Sequence, residues 1–231
     1  METIRGTQLT MSDGTTLGAE VVTDGDSHLC LYVLLQDMLK SGEMVVGLDI
    51  EWGFKGSSSS KQLPPETLQK SPSENKDHRS KMPEHHVALI TFCTKLGCIL
   101  VRLTPKLISP SLQRFLSIKD IIFVGVHIQE DLERLNSMYG VVVRNAVELS
   151  SLAARLYDQP RFIAFSAREL ANRVVSLKTD SKPFTVLWSN WFDQTLSAGQ
   201  IECAAVDAYA AYKVGKRLME SGSSSMKRLF G

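Results

Sequence analysis

The most constraining feature of the sequence is a short, nearly continuous apolar run that ends in two acidic residues. Residues 44–50 read Met-Val-Val-Gly-Leu-Asp-Ile, and Glu51 follows directly. Such a run indicates a central β-strand that is covered on both faces. Side chains two residues apart on a strand point to the same side, so Asp49 and Glu51 could hold a divalent cation together. The alternative is a solvated strand end, because Asp-x-Glu triplets also arise by chance.

Other segments of strand and helix periodicity follow one another along the chain. Strands are predicted at 87–92, 98–103 and 121–126, and helices at 28–39, 128–138, 148–157, 166–175 and 198–219. A Ser-Asp-Gly turn at 12–14 predicts an N-terminal β-hairpin within residues 1–25. Interleaved strands and helices indicate a three-layer α/β fold.

The length and local composition favour a single domain. A chain of 231 residues with 43% hydrophobic residues can bury one core, so residues 1–231 are interpreted as one domain. Residues 53–85 are rich in serine, proline and charge, and such a segment buries too little apolar surface to become ordered. We therefore predict a flexible polar insertion there.

Charge and cysteine content exclude several classes of protein. A formal net charge of +1 excludes an overall polycation that coats nucleic acid nonspecifically. The four cysteines form no CxxC pair and no zinc-like spacing with histidine, and no signal peptide is evident, which indicates a reducing cytoplasmic or nuclear compartment. No apolar run approaches the roughly 20 residues that cross a bilayer, so no membrane partner is expected.

A second acidic position follows the predicted strand at 121–126. Glu130 and Asp131 fall in the first turn of the next helix, where acids complement the helix dipole. Asp131 could instead turn toward the strand ends and join the first acidic pair. His127 could cap this helix, which is the simpler interpretation, or it could share the face of Asp131 and take a direct metal or catalytic role.

A third acidic residue, Asp207, lies in an alanine-rich part of the last predicted helix. Residues 203–212 read Cys-Ala-Ala-Val-Asp-Ala-Tyr-Ala-Ala-Tyr. Small residues at this density let a helix approach a sheet closely. An acid there is either a surface residue paired with a basic neighbour or a group that binds a cation.

Three segments together carry a family resemblance. Val-Gly-Leu-Asp-Ile-Glu-Trp at 46–52, the run at 124–135 and Ala-Ala-Val-Asp-Ala-Tyr at 204–209 resemble the ordered motifs of DEDD nucleases of the Werner-syndrome-helicase type. The resemblance extends over about residues 44–218 and is closest to small plant exonuclease-like proteins that form hexamers, including ones that act on RNA in silencing. It implies an RNase H-like (DnaQ-like exonuclease) α/β fold, with a five-stranded mixed central sheet flanked by helices and an extra N-terminal β-hairpin.

The same resemblance implies a mechanism with two Mg²⁺ or Mn²⁺ ions. Asp49, Glu51 and Asp207 would hold one ion, and Asp49 would bridge to a second ion that Asp131 supports. Such a centre would hydrolyse single-stranded RNA or DNA from the 3′ end and release nucleoside 5′-monophosphates. The resemblance also implies a homo-oligomer, a hexamer.

Substrate contacts are assigned to aromatic residues and to His127. Trp52 follows the first acidic pair and could stack on a terminal base or ribose. Trp191 lies on the approach to the last helix and could do the same, although core packing explains it equally well.

The third motif departs from the family pattern. The tyrosine expected four residues before the last aspartate is Cys203, and the histidine expected five residues before it in another branch is Glu202. Glu202 could act as a base, and Cys203 is interpreted mainly as packing. The sequence therefore predicts a 3′-5′ exonuclease that is attenuated. The alternative is an exonuclease-fold protein with weak or no turnover that binds nucleic acid or serves as a scaffold.

Overall fold

The structure is a computed structural model that describes residues 5–54, 85–104 and 107–230. Seven strands form one mixed sheet in the order β1-β2-β5-β4-β3-β6-β7. The strands are β1 (Arg5–Thr10), β2 (Thr16–Thr23), β3 (Val45–Phe54), β4 (His85–Thr94), β5 (Gly97–Arg102), β6 (Ile122–Gly125) and β7 (Ala146–Glu148). Most of the predicted insertion at 53–85 lies outside the described residues.

Strand β3, which carries the first acidic pair, has a neighbour on each side. It pairs antiparallel with β4 and parallel with β6, and β6 pairs parallel with β7. Val46 and Leu48 are fully enclosed, as the apolar run predicts for a strand covered on both faces. The ladder with β6 ends at Gly47, so the acidic end of β3 pairs with β4 alone, where Asp49 faces Thr91 and Glu51 faces Leu89.

The predicted N-terminal hairpin is confirmed and extends the sheet. Strands β1 and β2 pair antiparallel, and the side chain of Asp13 accepts a hydrogen bond of 3.0 Å from the backbone N–H of Thr15 in the turn. β2 also pairs parallel with β5, so the five strands β3–β7 and the hairpin form one sheet of seven. The hairpin is therefore continuous with the central sheet.

Helices cover both faces of this sheet. They are α1 (Ser27–Ser41), α2 (Pro110–Leu116), α3 (Ile128–Tyr139), α4 (Leu149–Leu156), α5 (Ala167–Val175), α6 (Phe184–Leu187) and α7 (Ala198–Phe230), with a 3-10 helix at Pro160–Ala164. The helical periodicity predicts all of them except α2, α6 and the 3-10 helix, which are too short for a clear pattern. Across the described part of the chain, no helix combines the length and apolar character needed to cross a membrane.

Helix α7 packs unusually close to the sheet. A Cβ atom added at Gly47 of β3 would lie 2.0 Å from the carbonyl oxygen of Ala208. One added at Gly215 of α7 would lie 2.6 Å from a methyl group of Val124 on β6. Small residues on both surfaces permit this approach, which brings the α7 acid to the end of β3.

Two cysteines face each other across the β4–β5 hairpin. Cys93 and Cys98 are direct cross-strand partners and are joined by a disulfide, whereas Cys30 and Cys203 are free. This pairing follows from the register of β4 and β5 and not from a CxxC spacing, so the cysteine spacing alone does not predict it.

Candidate active site

The structure brings three of the four sequence-predicted carboxylates together. Asp49 and Glu51 project from β3, and Asp207 meets them from α7. Each offers a carboxylate oxygen such that these atoms lie within 4.8 Å of one another. Oxygen ligands of this kind suit Mg²⁺ and Mn²⁺, so the acidic cluster could bind a metal ion.

Asp49 lies at the centre of this cluster and is buried. Its Oδ2 atom has no hydrogen-bond partner among the described residues. Burial raises the pKa of Asp49 well above its ordinary value, and the neighbouring carboxylates of Glu51 and Asp207 raise it further. A buried carboxylate without a full set of partners is costly. A metal ion would supply the missing compensation, so the residues fit a cation at this place.

Lys182 provides the nearest positive charge in the described structure. Its ammonium group forms an ion pair with Oε1 of Glu51 and lies 3.5 Å from Oδ2 of Asp207. Burial opposes its charge, but the surrounding carboxylates outweigh that effect and raise the pKa of Lys182. The ammonium group therefore stays charged and takes a position between two of the expected metal ligands.

Arg168 is a second cation that contacts the cluster. It is the second residue of α5, and its Nε donates to Oδ1 of Asp207 at 2.5 Å. Its terminal nitrogens donate to the backbone carbonyls of Asp180 at 2.6 Å and Cys203 at 3.2 Å. The guanidinium thus links the start of α5 to the loop after α5 and to helix α7, and it does so beside the carboxylate of Asp207. Sequence reasoning did not place either cation in the site.

The fourth predicted acid, Asp131, stands beside the cluster without joining it. It lies in the first turn of α3, and its Oδ1 accepts a hydrogen bond of 2.7 Å from Nε1 of Trp52. Burial raises the pKa of Asp131 to about 6, although the Trp52 hydrogen bond and the nearby Arg134 lower it. The Arg134 guanidinium lies 5.5 Å from the centre of the Trp52 ring. Trp52 therefore connects Asp131 to the strand that carries the other acids.

His127 occupies the N-cap position of helix α3, as predicted, but its side chain makes no capping hydrogen bond. Its backbone is left-handed at φ 59°, and its ring Nε2 lies 2.9 Å from the carbonyl oxygen of Ile163. The carboxylate of Glu148 takes the capping role, because it accepts from the backbone N–H groups of His127 at 3.0 Å and Ile128 at 2.9 Å. A substrate contact by His127 stays a prediction.

The residues at the departure from the family pattern lie one turn before Asp207 on α7. Cys203 is only 4% exposed, and burial raises the pKa of its thiol. Glu202 points to solvent. Trp191 is 3% exposed and belongs to the core, with the Lys182 ammonium 5.4 Å from its ring centre. Roles for these three residues in substrate handling stay predictions.

Several known proteins are similar to this chain in sequence or in fold. The sequence profile of a 3′-5′ exonuclease domain family matches residues 73–222. The chain is 27% identical over 207 residues to RISC-interacting clearing 3′-5′ exoribonuclease 1 of Arabidopsis thaliana, covering 89% of this chain and 91% of that protein.

Two solved structures share the fold at low sequence identity. Escherichia coli RNase D superposes with a TM-score of 0.61 and 16% identity, covering 91% of this chain and 46% of that one. The exonuclease domain of Aedes aegypti Nibbler gives a TM-score of 0.58 and 14% identity, covering 94% and 93% of the two chains. These neighbours confirm the RNase H-like exonuclease fold. With a family match over more than half of its length, the chain belongs to the 3′-5′ exonuclease family.

Proposed function

We propose that this protein is a metal-dependent 3′→5′ exonuclease that acts on single-stranded nucleic acid and releases nucleoside 5′-monophosphates. The cluster of Asp49, Glu51 and Asp207, with a buried oxygen of Asp49 that has no partner among the described residues, carries this proposal. The Arabidopsis relative is named an exoribonuclease, which favours RNA as the first substrate to test. We further propose that the protein assembles as a homo-oligomer, specifically a hexamer.

The proposed metal centre uses all four acids. Asp49, Glu51 and Asp207 would hold one Mg²⁺ or Mn²⁺ ion, and Asp131 would support a second ion next to Asp49. Two such ions activate water and stabilise the oxygen that departs in a phosphodiester hydrolysis. Within the chain, Trp52 fixes the carboxylate of Asp131 by its hydrogen bond, and Arg168 fixes that of Asp207. Both contacts hold a ligand in place before a metal arrives.

We also propose that turnover is slower than in family members with the tyrosine. The thiol of Cys203 is buried and its pKa is raised, so it is neutral near pH 7 and is a poor base. Glu202 is exposed to solvent, whereas Asp49 is buried. Neither side chain replaces the group that would orient the attacking water.

Degradation of end-labelled oligonucleotides tests the proposed function. A 5′-labelled single-stranded RNA and a DNA of the same sequence, incubated with Mg²⁺ or Mn²⁺, should shorten from the 3′ end and release 5′-monophosphates. EDTA should stop the reaction, because the carboxylates then have no metal. A circular strand without a 3′ end should stay intact, and cleavage of that circle would indicate an endonuclease.

A nucleic-acid-binding or scaffold protein without turnover is the competing function. The cysteine at position 203 in place of the tyrosine motivates it, whereas the match to the exonuclease family favours the enzyme. Protein that binds the linear strands in the presence of metal but shortens none of them would support this alternative and contradict the exonuclease.

Replacing Lys182 should strengthen metal binding. Its ammonium pairs with Glu51 and Asp207, so it competes with a metal ion for the same oxygens. Lys182→Met keeps much of the side-chain length and removes the charge. We expect about tenfold tighter Mn²⁺ binding, a modest share of the attraction between two unit charges at this range. Titration of free Mn²⁺ by electron paramagnetic resonance measures this affinity.

Lys178→Met is the matched control for this experiment, because Lys178 is exposed in the same loop. It should leave Mn²⁺ affinity unchanged. In EDTA, Lys182→Met should also lower the melting temperature, since the carboxylates lose their counter-charge. Equal or weaker Mn²⁺ binding by Lys182→Met would show that the ammonium does not compete with the metal.

A further inference from the structure

A pair of exposed aromatic rings lies just beyond Lys182. Phe184 begins helix α6 two residues after Lys182, and its side chain is 73% exposed. Trp188 directly follows the last residue of the same helix and is 56% exposed. Their ring centres lie 6.0 Å apart and their planes are tilted by 54°. Two adjacent aromatic side chains this open to solvent are typical of a surface that binds a ligand or another macromolecule.

The helix that carries these rings is fixed beside the acidic cluster. Two residues span at most about 7 Å, so the backbone of Phe184 starts within that distance of the backbone of Lys182. At the other end, the ring of Phe192 packs so closely on Gly53 that a Cβ there would lie 2.8 Å from it. Gly53 is two residues beyond Glu51 on β3. The segment before α6 therefore contacts the acidic cluster through Lys182, and the segment after α6 contacts β3 through Phe192.

Further contacts make the surrounding segment rigid. The guanidinium of Arg102 donates to the backbone carbonyls of Asp193 and Gln194. The side-chain amide of Gln200 donates to Oγ of Ser189 at 3.0 Å and to the carbonyl of Asn190 at 3.2 Å. Val186 of α6 points inward and is buried. The exposed rings thus belong to an anchored segment and stand on the outer side of a fixed helix.

We propose that Phe184 and Trp188 form a stacking surface for unpaired bases of the nucleic-acid strand whose 3′ end enters the acidic cluster. This inference rests on the proposed function and assigns it two substrate-binding residues. Aromatic rings beside cationic groups are the usual means of holding single strands, because rings stack on bases and cations meet phosphates. Lys178, Lys182 and Arg168 supply the cations around this segment.

The choice of occupant follows from continuity with the site. A single strand that places its terminal phosphodiester at Asp49 and Glu51 must pass over the segments that border the cluster. α6 is such a segment, because it begins two residues after Lys182, and its two rings are open to solvent. A base-paired duplex would keep its bases stacked on each other, so this surface favours single strands. Trp191, the other tryptophan suggested for stacking by its sequence position, is buried in the core.

Binding measurements on ring-deletion variants test the proposal. An Asp49→Asn background keeps the strand intact, and the probe is a fluorescein-labelled single-stranded oligoadenosine RNA with Mg²⁺. Phe184→Ala and Trp188→Ala should each weaken binding about tenfold, as expected for one stacked base. Trp188→Phe keeps a ring and should recover most of the affinity. Leu187→Ala is the control, because Leu187 is exposed at 53% on the same helix and has no ring.

An abasic probe separates stacking from other contacts. A strand with the same phosphates but without bases should bind the parent protein and Trp188→Ala equally. Phe184→Ala and Trp188→Ala each remove an exposed side chain, so the melting temperature of each variant should equal that of the parent protein. Unaltered oligoadenosine binding by the Phe184→Ala, Trp188→Ala double variant would overturn the proposal. If the oligomer mass of that variant also fell, the two rings would belong to a contact between copies of the chain.

The two proposals fail in different ways. If the protein with Asp49 intact shortens no strand while the ring variants lose binding, the exonuclease fails and the stacking surface stands. If it shortens strands and the ring variants bind and shorten them equally well, the exonuclease stands and the stacking surface is wrong.

Discussion

Asp49→Asn should abolish exonuclease activity and at the same time stabilise the metal-free protein. Asparagine keeps the shape of the side chain but removes the negative charge, so it is a poor ligand for a hard cation. Because the proposed two-ion centre depends on that ligand, we expect the rate to fall by about 1,000-fold or more. Gel analysis of a 5′-labelled RNA strand measures this loss.

The gain in stability has a separate cause. Asp49 is buried beside Glu51 and Asp207, and its Oδ2 has no hydrogen-bond partner in the described segments. A neutral amide removes most of the cost of burying this charge and its repulsion with the neighbouring acids. In EDTA at neutral pH, we expect the free energy of unfolding to rise by about 1 kcal/mol, as measured by urea denaturation.

Asp120→Asn is the control for both effects. Asp120 is exposed in the turn before β6, so the same change there should alter neither activity nor stability measurably. Undiminished degradation by Asp49→Asn would contradict the proposed metal centre. A loss of stability in EDTA would instead show that the carboxylate of Asp49 is well compensated without a metal.

The acidic cluster was predictable because its parts are local patterns. The period of a strand places Asp49 and Glu51 on one face, and the apolar run shows that this strand is central. The alanines around Asp207 indicate a helix that lies close to the sheet. Short-range patterns therefore singled out these residues, which lie more than 150 positions apart at the extremes, and the family resemblance assigned them to one metal site.

The cations of the site were not predictable in the same way. Lys182 lies in a loop between α5 and α6, where no periodicity indicates the direction of a side chain. Arg168 lies on a predicted helix, but its contact with Asp207 depends on how α5 packs against α7. One signal was available: a buried cluster of acids needs positive charge nearby, which points to basic residues in neighbouring segments.

The hydrogen bond between Trp52 and Asp131 shows the same limit. Sequence position suggests a substrate contact for Trp52, because it follows the acidic pair. The structure uses its indole N–H to hold Asp131, which lies 79 positions away. A buried indole usually finds an acceptor, but only the packing of α3 on β3 determines which one.

Gly47→Ala should destabilise the protein more than any surface change. A Cβ at this position would lie 2.0 Å from the carbonyl oxygen of Ala208 and 2.8 Å from the backbone nitrogen of Tyr212. Because backbone atoms of α7 cannot rotate away, the helix must move as a whole. We expect a loss of about 3 kcal/mol in the free energy of unfolding, at the upper end for overpacked cores. Urea denaturation measures it.

The displacement should also weaken metal binding, which separates this variant from a purely structural defect. Asp207 directly precedes Ala208 on α7. Moving α7 away from β3 would therefore separate the carboxylate of Asp207 from those of Asp49 and Glu51. Mn²⁺ affinity of the folded fraction should fall. Gly6→Ala is the control, since a Cβ on that β1 glycine meets nothing within 4 Å.

A graded variant keeps the test decisive if Gly47→Ala yields no folded protein. At Gly215 the three atoms nearest to the added Cβ would be side-chain atoms of Val124, the closest at 2.6 Å, and a side chain can adjust where a backbone cannot. Gly215→Ala should therefore lose less stability than Gly47→Ala and keep more of its Mn²⁺ affinity. Equal stability of all three glycine variants would contradict the close contact between α7 and the sheet, and with it the reason why Asp207 reaches the acids of β3.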